Sequence, residues 1–149
     1  MNINYFMNEA IKEAKYAYNS KEVPVGGVLV DIKTNEIIHR SYNKMNKEKN
    51  SMYHCEIDLI MHSCKTLSRK YLQDTIMFVT LEPCLMCASA ISEVHIDKLY
   101  FGAYDNKNGG IENFKFQAQR EHAFKTEIYG GIMENDCKVL LDDFFKKLR

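Results

Sequence analysis

Apolar positions change period along this chain. Phe6, Met7, Ala10, Ile11, Ala14 and Tyr18 recur at three- and four-residue spacing, which predicts an amphipathic first helix that Pro24 stops. Val25-Gly26-Gly27-Val28-Leu29-Val30 then reads as a buried strand. Thr34-Asn35 is a turn signal and Glu36 to Tyr42 predicts a second strand, giving a hairpin. Asn43 to Asn50 sets Lys44, Lys47 and Lys49 against Glu48 and reads as a basic loop. A helix is expected from about His54, with Ile57, Ile60, Met61 and Cys64 facing inward. Thr75 to Leu81 is β-rich, and Pro83 suits the first turn of a third helix, where its missing N–H costs nothing. Lys98 to Gly102 and Thr126 to Tyr129 bring the candidate strands to five. Cys137, Leu140, Leu141, Phe144, Phe145 and Leu148 mark one face of a closing helix. Such alternation predicts an α/β protein, a three-layer α/β/α domain with a five-stranded mixed sheet. No repeat, linker or low-complexity tract divides the chain, so residues 1–149 read as a single domain.

Composition narrows the class without naming the chemistry. With 46% apolar and 27% charged residues the chain is globular, and its formal net charge of zero advertises no polyanionic partner. A local basic patch would still suffice for nucleic acid. Neither a signal peptide nor a membrane-length apolar run is visible, which predicts a soluble cytoplasmic protein. Five cysteines, an odd number in such a chain, read as reduced thiols rather than a disulfide framework.

The chemistry concentrates in His54-Cys55-Glu56 and, about thirty residues on, Pro83-Cys84-Leu85-Met86-Cys87. His54, Cys84 and Cys87 offer three ligands of mixed type and no obvious fourth. Structural zinc sites are usually closed by four protein ligands, whereas catalytic ones keep a position for water. Cys84 and Cys87 stand three apart and share one face at a helix start, where the dipole favours thiolates. Two thiolates nearly neutralise Zn²⁺, so a neighbouring base is needed to activate water at neutral pH. Glu56, two residues after the histidine, is placed for that general acid–base work.

Other residues admit plainer readings. Cys55, Cys64 and Cys137 read as small buried hydrophobes. His39, His62, His95 and His122 show no ligand spacing and read as surface or capped histidines. Lys44, Lys47 and Lys49 form either a solvated loop or a phosphate contact, and Lys146, Lys147 and Arg149 either complement the last helix dipole or touch RNA. Tyr71 and Phe144-Phe145 read as core or interface, and Phe114 and Phe116 could stack on splayed bases.

The paired motifs resemble the zinc deaminase signature of base-modifying enzymes. The chain as a whole resembles the bacterial tRNA adenosine deaminase family, within the cytidine-deaminase-like superfamily. That resemblance rests on Val23-Pro24-Val25-Gly26, on Thr80 to Ala88, on Phe101-Gly102-Ala103 with Asp105 and Lys107, and on Gly130-Gly131-Ile132 with the C-terminal helix. It implies His54, Cys84 and Cys87 as ligands of one Zn²⁺ per subunit and Glu56 as proton shuttle. It implies Asn43 as a hydrogen-bonding contact to a flipped nucleoside, and Cys55, where alanine is usual, as a second substrate-binding residue. His95 and Tyr104 stand where arginines are frequent, which bears on RNA contacts; those expected are Lys44, Lys47, Asp105, Lys107, Lys146 and Arg149. The implied reaction is hydrolytic deamination of adenosine to inosine at the wobble position of a tRNA anticodon, by a homodimer with RNA lying partly across the interface. Two other readings keep the same residues: deamination of a free base or nucleoside, and a non-catalytic zinc-stabilised RNA-binding subunit. Retention of Glu56 weighs against the last, because a structural site has no use for that carboxylate.

Overall fold

A computed structural model of the protein describes residues 1–112 and 123–148. Phe114, Phe116, His122 and Arg149 lie outside the described residues. Helix α1 (Ile3–Asn19) starts at Asn2, whose side chain accepts the Tyr5 N–H at 3.0 Å. It ends well before Pro24, as Lys21 turns the backbone to φ 59°. Strands β1 (Gly26–Asp31) and β2 (Ile37–Tyr42) form the expected hairpin. Then come α2 (Cys55–Leu67), β3 (Thr75–Leu81), α3 (Leu85–Glu93), β4 (Lys98–Ala103), β5 (Glu127–Tyr129) and α4 (Glu134–Lys147).

The sheet has the order β2-β1-β3-β4-β5. β1 is antiparallel to both neighbours, whereas β3, β4 and β5 run parallel, so the sheet is mixed as expected. Successive strand residues point to opposite faces, and two glycines on β1 show what covers each. A Cβ on Gly26 would lie 2.2 Å from the Ala14 backbone nitrogen of α1, and one on Gly27 would lie 2.9 Å from Cys55 Sγ of α2. Helices α1 and α4 pack on one side, and α2 and α3 on the other. The core fills both interfaces with fully buried Met7, Val28, Leu29, Leu59, Met77, Phe78, Leu99 and Phe101.

Strand polarity decides where function can sit. Because β1 opposes its neighbours, its beginning lies beside the ends of β2 and β3: Gly26 pairs with Tyr42 and Gly27 with Val79. The end of β4 joins them, since Leu81 pairs with Ala103. Val25, Asn43, Glu82 and Tyr104 thus leave the sheet along one edge, the carboxyl edge of the parallel strands, where α/β sheets hold ligands.

Three details differ from expectation. On α2, Leu59, Ile60 and Ser63 are buried while Met61 is 59% exposed and Ile57 and Cys64 are only half-buried. The inward face also holds the polar Glu56 and Asp58, so a count of apolar positions alone rotates the helix wrongly. Pro83 precedes α3 rather than entering it, and Cys84 is the N-cap. On α4 only Cys137 and Leu141 are buried, while Phe145 and Leu148 face outward.

Candidate active site

His54 and Cys84 are the N-caps of α2 and α3, and neither uses its side chain for capping. Both helices therefore open at one spot with ligand side chains free, and their positive ends favour anions there. His54 Nδ1 lies 3.7 Å from Cys84 Sγ and 3.5 Å from Cys87 Sγ. Tetrahedral bonds of roughly 2.3 Å to sulfur and 2.0–2.1 Å to nitrogen place ligand atoms about 3.5–3.8 Å apart. The cluster fits one zinc ion, and its donors, one imidazole and two thiols, suit that metal.

Electrostatics prepare the cluster for a cation. The Cys87 thiol donates to Cys84 and holds the Cys84 thiol down to about 4, while the same bond and burial push Cys87 up. His54 is raised, first by its hydrogen bond to Cys84. One thiolate is thus already stabilised, and a metal would take the place of the protons that the three residues share. Glu56, buried beside Cys87 on the first turn of α2, is raised by desolvation. A carboxyl raised this way gives and takes protons closer to neutrality than an exposed one.

His54, Glu56 and Cys84 floor a pocket of about 150 Å³, lined also by Val23, Val25, Asn43, Met45, Leu81, Glu82, Asp105 and Asn108. Asn43 is buried, and its Oδ1 accepts the Cys55 N–H at 2.9 Å. That bond leaves the amide NH₂ as the group Asn43 can offer to the pocket. The Cys55 side chain is elsewhere: fully buried, it packs on Gly27 and donates to the Ser41 carbonyl at 3.4 Å. The side chain expected to touch substrate thus faces the strand, while its N–H is the group turned to Asn43, and burial pushes its thiol well up, away from reactive thiolate.

The basic residues divide. Lys44 is turned inward: its ammonium lies 3.0 Å from Ser41 Oγ and 3.3 Å from Asp58 Oδ2, and sits over the Tyr42 ring. Lys47, Lys107 and Lys146 are exposed. Asp105 spends its carboxylate on the Lys107 and Asn108 N–H groups, shaping a turn rather than reaching out. Beside the pocket runs a groove of about 980 Å³, lined by Tyr104, Lys107, Phe145, Lys146 and Leu148 among others. His95 lies at the other end of the sheet, stacked between Tyr71 and Phe124.

Two carboxylates that sequence reasoning passed over hold the pocket walls. Glu22 accepts the N–H groups of Asn46 and Lys47, and Glu82 those of Asp105, Ile111 and Glu112. Both are nearly buried. Glu82 had a signal, a charged residue closing an apolar strand beside the Pro-Cys motif; Glu22 had none.

Residues 1–103 match the family described as the cytidine and deoxycytidylate deaminase zinc-binding region. The tRNA-specific adenosine deaminase of Rickettsia bellii is 42% identical over 144 residues, covering 96% of this chain and 99% of that one. That of Bacillus subtilis is 40% identical over 146 residues, covering 97% and 89%. The chain belongs to the tRNA-specific adenosine deaminase family. A solved tRNA:A34 deaminase, studied for A-to-I editing at the wobble position, superposes with a TM-score of 0.88 at 37% identity, over 92% of this chain and 99% of that one. Guanine deaminase from Nitrosomonas europaea superposes at 0.82 with 15% identity, covering 95% and 84%, a likeness of fold alone.

Within this deaminase, Glu82 should bear on pocket shape more than on the metal. Replacing its carboxylate by an amide turns an NH₂ toward backbone donors, and Glu82→Gln is expected to cost about 1.5–3 kcal/mol of unfolding free energy. Zinc content should stay at one ion per chain, read by denaturant unfolding and metal analysis side by side.

Proposed function

We propose that this protein converts adenosine to inosine at the wobble position of a tRNA anticodon, by zinc-dependent hydrolytic deamination. One observation carries the reading: the His54, Cys84 and Cys87 ligand atoms meet beside the buried Glu56 carboxyl, at the floor of a pocket with room for one flipped base. Bound zinc, held by those three side chains, supplies Lewis-acid activation of water. Glu56 takes the proton from that water and delivers it to the amine leaving C6, acting first as base and then as acid. Asn43, held by its bond to the Cys55 N–H, orients the nucleoside through its amide NH₂. The walls anchored by Glu22 and Glu82 narrow the space left to bulk water. An anticodon loop presents its bases unpaired, so extrusion costs little.

The neighbouring groove favours RNA over a free base as substrate. It continues from the pocket through Val23, Leu81 and Asp105, and carries two exposed lysines and two exposed aromatic rings, the means by which single-stranded RNA is held. Lys107 and Lys146 take phosphates there, while Tyr104 and Phe145 offer stacking faces. Self-association belongs to the same proposal: Met61 of α2 and Leu85 at the start of α3 are exposed on two helices packed against each other beside the site. We place the enzyme in the cytoplasm. Its five cysteines are all free, and among the described residues no helix is long and apolar enough to cross a membrane.

Three experiments test these statements. An anticodon stem-loop with a wobble adenosine should yield inosine while free adenosine, cytosine and guanine stay intact; Glu56→Ala should lose roughly 10²- to 10⁴-fold in turnover. That variant should keep its zinc and fold; unchanged turnover overturns the role of Glu56, and preferential turnover of a free base overturns the substrate. Replacing Lys107 and Lys146 together by Ala should raise KM for the stem-loop, leave kcat unchanged, and flatten the log–log salt dependence by about 1.4. Light scattering on the purified protein should give the mass of two chains, and a monomer mass would rule out the dimer.

A further inference from the structure

His39, Asp58 and His62 play no part in the deamination, and nothing in their spacing along the chain joins all three. The fold brings them together at the seam between β2 and α2. Asp58 and His62 stand four apart on one face of α2, and His39 reaches across from β2. His62 Nδ1 is 2.9 Å from Asp58 Oδ1, and His39 Nε2 is 3.7 Å from Asp58 Oδ2. The two imidazole rings stack with centroids 4.8 Å apart and planes at 12°. One donor atom from each residue lies within 4.8 Å of the others, in a cluster that shares no residue with the His54, Cys84 and Cys87 set.

We propose that His39, Asp58 and His62 form a second metal site, for a borderline divalent transition ion of the Ni²⁺, Co²⁺, Cu²⁺ or Zn²⁺ kind, independent of the deaminase zinc. Imidazole nitrogens with one carboxylate oxygen suit such ions rather than Mg²⁺ or Ca²⁺. His62 Nδ1 also lies 3.0 Å from the Asp58 carbonyl oxygen, which can only accept, so an ion bound between Nδ1 and Oδ1 would displace the Nδ1 proton, and binding would weaken as pH falls. The carboxylate is already oriented. Its Oδ2 accepts from Ser41 Oγ and lies 3.3 Å from the Lys44 ammonium, which leaves Oδ1 to ligate.

Lys44 already faces Asp58 at 3.3 Å, and two imidazoles share the same carboxylate. His39 is partly buried, its side chain 29% exposed, and desolvation depresses it despite the opposing pull of Asp58. His62 is half in solvent, its side chain 47% exposed, so a bound ion would keep water on its open side and exchange. Lys44 opposes a second cation beside Asp58. The site is therefore weaker than the thiolate site and fills after it.

The test uses untagged protein carrying one zinc per chain, equilibrated against Ni²⁺ and analysed for both metals. One further ion per chain is expected, with the zinc undisturbed. His39→Gln and His62→Gln, both at least partly exposed positions that leave Asp58 in place, should each weaken Ni²⁺ binding at least tenfold without changing the zinc content. Lys44→Met should tighten it. Paramagnetic broadening of the His39 and His62 ring signals in NMR spectra gives a second readout at the same Ni²⁺ concentrations. Absence of a second equivalent overturns the proposal, as does a second equivalent unchanged in both histidine variants.

Discussion

Close packing of the start of α2 against β1 is the contact on which the site depends. Gly27 leaves room for Cys55 and Leu59 to approach the strand, as a Cβ there would lie 2.9 Å from Cys55 Sγ. Glycine is needed for closeness at this point rather than for an unusual backbone angle. Cys55 in turn ties the helix start to the hairpin, its N–H to Asn43 and its thiol to the Ser41 carbonyl. His54 and Glu56 flank it, so the buried thiol sets the depth at which the imidazole and the buried carboxyl meet the pocket. On the opposite face Gly26 gives α1 the same intimacy, with its N–H donated to Thr80 Oγ1. The sheet is thereby clamped at the edge where chemistry takes place.

Around that clamp, buried acidic side chains organise loops that have little apolar surface of their own. Glu22, Asp58 and Glu82 are each nearly inaccessible, and each binds groups from a neighbouring segment. A buried carboxylate left unpaired would be costly, so these loops are held to the geometry that satisfies it. Pocket walls made of polar backbone are thus fixed without a large hydrophobic contact, and their outer surfaces remain free to meet RNA. The assignment of basic residues follows. Lys44, adjacent to Asn43 in sequence, is consumed inside this framework, whereas Lys107 and Lys146, far apart in sequence, line the same groove.

Charge at the two histidine clusters is handled in opposite ways. At the deaminase site two helix starts and a shared thiol proton favour anionic sulfur, and the protein supplies negative charge for a dication. Beside His39 and His62 the carboxylate already faces Lys44, and ligation rests on two imidazoles and what Asp58 has left to offer. The first arrangement binds its metal firmly, and the second lets an ion come and go.

The sequence by itself determined the strand and helix order, the mixed five-stranded sheet and the residues of the deaminase cluster. Those features are carried by local signals: apolar period, turn residues, and ligands fixed by short spacings at helix starts. It also carried the i,i+4 relation of Asp58 and His62, though not the approach of His39. Only the tertiary structure decided which face of α2 is buried, because Glu56 and Asp58 occupy inward positions that an apolar count assigns to solvent. It likewise turned Lys44 inward, gave Cys55 a backbone role and left Phe145 and Leu148 of α4 exposed on the groove. Each of these outcomes depends on partners distant in sequence, and the free energy of a buried charge is set by what stands opposite it in space.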